Sequence, residues 1–109
     1  MLIQFNQRDL RVNMSAFFIL TLNFRLQGCT SLKEKRSRMA PLLTKLKKEN
    51  ISVIESSLAD SHQETELTIA KLSINNSSLD RNLDHLLAFI DYHRGDIELI
   101  DYQVERYRF

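Results

Sequence analysis

Apolar and polar residues alternate over residues 16–26, where every second position is a large apolar residue. This two-residue period is typical of a β-strand with one face in the core. The first half of the stretch is apolar on both faces, as in a central strand, and residues 64–74 share this character. The serine-rich residues 51–57 are predicted to form an edge strand, and residues 97–104 the fourth strand.

Two other stretches follow the helical period of 3.6 residues. The first helix is predicted from its N-cap Ser31 to about residue 48, with Glu34 at the capping-box spacing. Pro41 lies inside it and predicts a kink or a break into two pieces. The second helix is predicted over residues 79–93, before Gly95, whose position is typical of a helix stop.

The predicted elements follow the order β-α-β-β-α-β. Each helix follows a strand and must return over the same sheet face to bury its apolar stripe. The pattern therefore predicts an α+β, ferredoxin-like sandwich, with a four-stranded antiparallel sheet and two helices on one face.

Residues 14–109 are expected to form this single domain, whereas residues 1–13 show no sustained period. Two interpretations of residues 1–13 stay open. They are an extension upstream of a native start at Met14, or an arm of the domain. In either case we expect them to be loosely held or to add an edge segment.

The composition is that of an ordinary globular protein, with 43% hydrophobic and 27% charged residues. The single cysteine, Cys29, cannot form an internal disulfide, which favours a reducing, cytoplasmic setting. The longest apolar run covers residues 16–20, far short of the roughly 20 residues that a membrane span needs. We therefore expect no membrane association.

Charges of opposite sign are segregated along the chain. Residues 1–48 contain ten Lys and Arg against two acids, whereas residues 49–105 contain twelve acids against three Lys and Arg. A nearly neutral total with separated signs predicts a dipolar surface, which favours an oriented partner over general polyanion binding.

Cations are concentrated on the first two turns of the first helix, where Lys33, Lys35, Arg36 and Arg38 run against the helix dipole. One interpretation is a nucleic-acid site in which they contact RNA phosphates. The other is a solvated face paired with nearby acids. The lysines at positions 45, 47 and 48 lie at the helix C-terminus, where the dipole favours positive charge and no partner is required.

The sheet face away from the helices would carry Phe17, Ile19, Thr21, Asn23 and Arg25 from the first strand. RNA-recognition modules of this topology stack bases on aromatic residues of that face. With one aromatic residue and a few apolar positions beside it, this face favours self-association, so we expect a homo-oligomer through the sheet face or edge.

Other candidate chemistry is sparse. Asp60, His62 and Glu64 alternate and form the best metal-ligand arrangement, yet one histidine among ordinary loop residues favours a turn over a metal site. Cys29 precedes a helix start, where a thiol can become reactive, but no base is evident beside it. We recognise no catalytic residues and expect no metal or cofactor.

The string Ser31-Leu32-Lys33-Glu34-Lys35-Arg36 at a strand–turn–helix junction resembles the YlxP-like family, a bacterial domain of unknown function. Further matching positions are Ser52, Val53, Glu55, Asp60, Gln63 and Ser73, and the register extends over residues 14–105. The resemblance implies a ferredoxin-like fold, an RNA or ribosome partner, and no catalytic residues to carry over. Two features depart from the family pattern: Glu64 stands where members commonly have a basic residue, and a leader precedes Met14.

Overall fold

The computed structural model describes residues 15–108. Strands β1 (Ala16–Arg25), β2 (Ser52–Ser57), β3 (Glu64–Ser73) and β4 (Glu98–Arg108) are joined with helices α1 (Leu32–Lys47) and α2 (Asn76–His93). They follow one another as β1-α1-β2-β3-α2-β4, which confirms the predicted order. The extension predicted over residues 1–13 lies outside the described residues.

The four strands form one sheet in the order β2-β3-β1-β4, and every neighbouring pair is antiparallel. β1 and β3 occupy the centre, as their two-sided apolar pattern predicted. β2 and β4 are the edges. This topology confirms the α+β, ferredoxin-like fold.

One face of the sheet packs against both helices. The alternating positions of β1 from Ala16 to Phe24 are buried, and Leu67 and Ile69 of β3 continue the same layer. The helices bury their apolar stripes over it: Met39, Leu42 and Leu46 from α1, and Leu79, Leu83, Leu86 and Ile90 from α2. Burial of these side chains, each contributing about 1.5–3 kcal/mol relative to exposure, drives the packing.

α1 passes through Pro41 as a single helix, so the predicted break into two pieces does not occur. Proline removes the hydrogen bond to the carbonyl of residue i−4, which is Ser37 here. Ser37 and Pro41 both lie on the exposed side of α1. Water can therefore satisfy the carbonyl that proline leaves without a partner.

Two element boundaries differ from the sequence-based expectation. α2 begins at Asn76 and not at Leu79, because the Asn75 side chain caps it by accepting a 2.8 Å hydrogen bond from the Ser78 backbone N–H. β4 extends to Arg108, past the expected end at Val104, because it stays paired with β1 as far as Ala16.

The two helices lie side by side with opposite directions. Arg38 of α1 contacts Asp96, just beyond the C-terminus of α2, and Glu49, just beyond α1, contacts His85 in the middle of α2. α1 covers the β2 side of the sheet, and α2 covers β1 and β3. Within residues 15–108, neither helix has the length and apolar character that crossing a membrane requires.

Candidate functional site

The start of α1 is fixed by a turn and a cap. Gly28 has a φ of +73°, which lets the chain leave β1 in a left-handed turn that other residues disfavour. Ser31 Oγ then accepts a 3.0 Å hydrogen bond from the Glu34 N–H. The Glu34 carboxylate, expected to complete the capping box, instead pairs with Arg38, with Oε2 3.5 Å from Nη1.

Lys35 lies on the inner side of α1 and is only 3% exposed. Its Nζ donates hydrogen bonds to the backbone carbonyls of Leu58 (2.8 Å), Ser61 (2.7 Å) and Glu64 (2.7 Å). An ammonium group has three N–H donors, so this arrangement uses all of them. The Glu55 carboxylate, 3.8 Å away, adds a compensating charge.

The three carbonyls belong to the loop between β2 and β3 and to the start of β3. Leu58 has a φ of +64°, a left-handed conformation that costs a non-glycine residue roughly 1–2 kcal/mol. Its carbonyl accepts from both Lys35 Nζ and the Ser61 N–H, at 2.8 and 3.0 Å. Lys35 therefore fastens this loop to the first turns of α1.

This placement corrects the expectation that Lys35 contacts a nucleic acid. A buried ammonium group whose donors are all used within the fold cannot reach a phosphate. The charge pattern of the sequence groups Lys35 with its neighbours. The helical period, however, places it four residues before Met39, on the buried stripe. Lys35 has a structural role and leaves the candidate set.

Lys33 and Arg36 lie on the outer side of the same two turns, and both are exposed. Neither forms an ion pair or a side-chain hydrogen bond with any residue in the described range 15–108. Their charges are therefore available to a partner in solution.

Arg38 has an intermediate position, with 21% of its side chain exposed. Nη1 donates to the Gln27 carbonyl at 2.8 Å, and Nη2 lies 3.4 Å from the Asp96 carboxylate. These bonds join the start of α1 to the end of α2. Much of the hydrogen-bonding capacity of Arg38 is thus used inside the molecule.

Lys45, Lys47 and Lys48 extend the exposed positive charge along α1 to its C-terminus. Within the described part of the chain they also have no ion-pair partner. Sequence reasoning assigned these lysines to the helix dipole alone. Residues 35–48 contain no acid, and this pattern could have grouped these lysines with Lys33 and Arg36. We call these five exposed cations, Lys33, Arg36, Lys45, Lys47 and Lys48, the basic surface.

The open face of the sheet has a different character. The pairing of β1 with β3 and β4 places Phe17, Leu72 and Tyr107 in one row at one end, with Phe17 and Tyr107 rings stacked at 4.7 Å. Toward the other end the rows become acidic. Their carboxylates are those of Glu64, Glu66, Asp101 and Glu105. The cations of α1 and the carboxylates of this face therefore lie on different surfaces of the molecule.

Glu105 also affects its neighbour on this face. The Tyr107 hydroxyl donates a hydrogen bond to the Glu105 carboxylate. This bond raises the pKa of Tyr107, and partial desolvation and the negative charge of Glu105 act in the same direction.

The residues considered for metal or thiol chemistry line one shallow concavity beside the start of α1. Cys29, Asp60, His62 and Glu64 all border it, together with Arg25. Cys29 is 1% exposed, and its thiol donates to the Ser31 carbonyl at 3.4 Å. Arg25 pairs with Glu64 at 3.4 Å. Among residues 15–108, no three His, Cys, Asp or Glu side chains converge as a metal site would require.

One comparison with known proteins identifies a family. Residues 17–104 match the model of a family described as "Protein of unknown function (DUF503)", and this match covers most of the chain. A comparison with curated proteins finds no match. The matched segment runs from β1 into β4 and contains the whole basic surface. The chain therefore belongs to the DUF503 family of proteins of unknown function.

Proposed function

We propose that the chain is a small RNA-binding module that holds phosphates with the basic surface of α1. The observation that carries the proposal is that these five exposed cations lack acidic partners within residues 15–108. Lys33 lies in the first turn of α1, where the helix dipole disfavours a cation. A positive charge kept at such a position is explained by a negative partner.

Phosphate contacts of this kind are independent of base sequence. Each cation that contacts a phosphate releases a condensed counterion, so affinity falls as salt rises. The acids on the open face orient the molecule, because they repel the same polyanion that the basic surface attracts. The module thus presents one face to RNA.

The resemblance to the YlxP-like family supports a finer assignment, in which the RNA is part of the ribosome or its assembly intermediates and the protein acts in the cytoplasm. Co-sedimentation with ribosomal subunits from the native host tests this. We expect the protein in the subunit fractions at low salt and in the free fraction at high salt. Recovery only in the free fraction at both salts would exclude the ribosomal partner.

Filter binding of a labelled RNA hairpin, at about 50 and 200 mM salt, tests RNA binding itself. Lys33→Glu combined with Arg36→Glu removes two phosphate contacts. We expect weaker binding and a salt slope reduced by roughly 2, about 1 for each lost contact.

A charge-matched control distinguishes the loss of a site on α1 from a general change in net charge. Arg81→Glu with Arg108→Glu changes the net charge by the same amount, at exposed positions on α2 and β4. We expect this variant to bind nearly as well as the natural chain. No binding at low salt, or equal losses in both variants, would contradict a site on α1.

Self-association is a second candidate function, favoured by the open face of the sheet. Leu72 and Tyr107 are 65% and 41% exposed in the row that they share with Phe17 on this face, and isolated domains rarely leave neighbouring large apolar residues in water. We expect light scattering to show a dimer whose dissociation is promoted by Leu72→Glu. A strict monomer at high protein concentration would exclude this candidate.

A further inference from the structure

Four aromatic rings form a row along one flank of α2, which we call the aromatic ladder: His85, Phe89, His93 and Tyr92. The ring centroids are 6.2 Å apart for His85 and Phe89, 4.4 Å for Phe89 and His93, and 4.9 Å for His93 and Tyr92. Residues four apart lie on one side of a helix, so the first three form a stripe along α2 that Tyr92 widens at its end.

The ladder runs along the seam between the two helices, beside the Lys45 and Lys48 end of the basic surface. His85 Nε2 lies 3.4 Å from the Glu49 carboxylate, which follows α1 directly. At the other end, Arg38 contacts Asp96 just beyond α2. Lys45 lies between Arg38 and Glu49 on the same side of α1, at helical spacing from both. Lys45 and Lys48 therefore lie on the ladder side of α1, where Lys48 and His85 line one concavity, whereas Arg36 and Lys47 line a concavity with Glu55 on the β2 side.

Packing within the fold explains only part of the ladder. Phe89 is half-buried and packs against the core, but Tyr92 is 82% exposed and His85 is also exposed. The outer rings are thus free to present their faces to a planar ligand.

Each acid near the ladder has a side-chain partner within residues 15–108. Glu49 contacts His85, Asp91 contacts Arg94 at 3.1 Å, and Asp96 contacts Arg38 at 3.4 Å. Asp84 lies one turn after Asp80, which contacts Arg106 of β4, and so it faces the opposite side of α2. Asp96 offsets Arg38 and Asp91 offsets Arg94, and within the described residues Lys45 and Lys48 keep charges without an acidic partner on this side of α1.

We infer that the RNA bound by this module is single-stranded, with its phosphates on the basic surface and its bases stacked on the aromatic ladder. This inference rests on the proposed function and names its substrate class. Aromatic rings beside a positively charged track are the means by which proteins bind single strands, because unpaired bases expose faces that duplexes conceal. The site is on the helical layer and not on the sheet face that other modules of this topology use.

The dimensions of the ladder fit a short segment of a strand. His85 and His93 are separated by eight residues, or about 12 Å along the helix. Stacked nucleotides repeat at roughly 3.4 Å, so the ladder accommodates about three bases.

Two measurements test the inference with the full chain. The first compares the affinity of a single-stranded oligouridine with that of a blunt RNA duplex carrying the same number of phosphates. We expect tighter binding of the single strand. Tyr92→Ala should weaken single-strand binding by about 5- to 150-fold, the range for loss of one base–aromatic stack, and leave duplex binding unchanged. Tyr102→Ala removes an exposed tyrosine from β4 and is the matched control.

The second measurement reports stacking directly. The chain contains no tryptophan, so Tyr92→Trp introduces a single indole at the end of the ladder. We expect its fluorescence to be quenched by oligouridine and not by the duplex.

The outcomes separate this inference from the proposed function. Loss of binding with Lys33→Glu and Arg36→Glu, but unchanged affinity with Tyr92→Ala and no quenching, would overturn the single-strand assignment and leave the phosphate site in place. Failure of both RNAs to bind at low salt would overturn the two together. Equal weakening by Tyr92→Ala and Tyr102→Ala would also contradict the ladder.

Discussion

The inner and outer sides of the first turns of α1 use neighbouring cations in opposite ways. Lys35 is buried, and its ammonium group donates to three backbone carbonyls. Lys33 and Arg36 are exposed and, within the described residues, contact no acid. The helix turns by about 100° per residue, so adjacent positions in one charged string face the interior and the solvent. Clustered charge in a sequence therefore does not indicate a common role.

The difference between the two sides is energetic. A buried ammonium group is stabilising only when the bonds it forms offset its loss of hydration. Lys35 meets this condition with three short bonds to the loop after β2. An exposed cation keeps its hydration, contributes little to folding, and retains its charge for a ligand. The inner side should therefore control stability and the outer side binding.

The largest effect is expected for Lys35→Met, which keeps most of the apolar stem and removes the ammonium group. Three carbonyls lose a charged donor, and the carbonyl of the left-handed Leu58 loses one of its two hydrogen bonds. We expect the free energy of unfolding to fall by about 3 kcal/mol, less than three independent charged hydrogen bonds, because the loosened loop can admit water. Urea denaturation followed by circular dichroism measures this loss.

Lys33→Met is the matched control, since it makes the same chemical change on the outer side. Exposed substitutions away from specific contacts usually change stability by less than about 0.5 kcal/mol. Similar unfolding midpoints for the two variants would show that buried Lys35 contributes no more to stability than exposed Lys33.

A smaller loss is expected for Ser31→Ala, which removes the cap that both sides of α1 share. The Glu34 N–H would lose its 3.0 Å acceptor, and cap removal typically costs about 1 kcal/mol. Ser37→Ala, on the exposed side of the same helix, should have no such cost, because alanine is the better helix former. Denaturation midpoints for the pair provide the measurement. Equal stability of the two variants would contradict a capping role for Ser31.

Sequence periodicity was sufficient to predict the fold because each element has a clear apolar pattern and a local signal at its ends. Ser31 and Gly95 mark helix ends by their own chemistry, and the two-sided apolar character of β1 and β3 reflects their central positions. The start of α2 was predicted three residues late because the polar residues before Leu79 are equally typical of a turn. The structure shows that the Asn75 side chain accepts a hydrogen bond from the Ser78 N–H and so caps the helix there.

The candidate site was less predictable, because it depends on contacts between residues distant in sequence. The carbonyls that bind Lys35 come from positions 23 to 29 residues later, in the loop after β2 and at the start of β3. The aromatic ladder was also missed. The spacing of its rings is visible in the sequence. Its position beside the cations of α1, however, depends on the packing of α2 against α1, which the contact between His85 and Glu49 demonstrates.

Arg38 is intermediate in exposure between buried Lys35 and exposed Arg36, so its substitution should affect both stability and binding. Arg38→Gln removes partly exposed contacts with Glu34 and Asp96, each worth only a few tenths of a kcal/mol, and weakens the bond to the Gln27 carbonyl. We expect a stability loss of about 0.5–1 kcal/mol and a smaller loss of RNA affinity than Arg36→Gln causes. Denaturation and filter binding on both variants compare them. A larger affinity loss for Arg38→Gln than for Arg36→Gln would indicate that the RNA binds nearer to the seam between α1 and α2.

The smallest expected effect has the opposite sign. Lys33→Gln with Arg36→Gln removes cations from the N-terminal turns of α1 without introducing acids. Since the helix dipole disfavours positive charge there, we expect stability to rise by about 0.3–0.5 kcal/mol while the salt slope of RNA binding falls by roughly 2. Paired urea denaturation and salt titration measure both quantities on one protein. The same exchange at Lys45 and Lys47, where the dipole favours cations, should instead lower stability slightly while also weakening binding. If the N-terminal variant loses stability, Lys33 and Arg36 serve the fold. If it gains stability without weaker RNA binding, they do not contact the RNA.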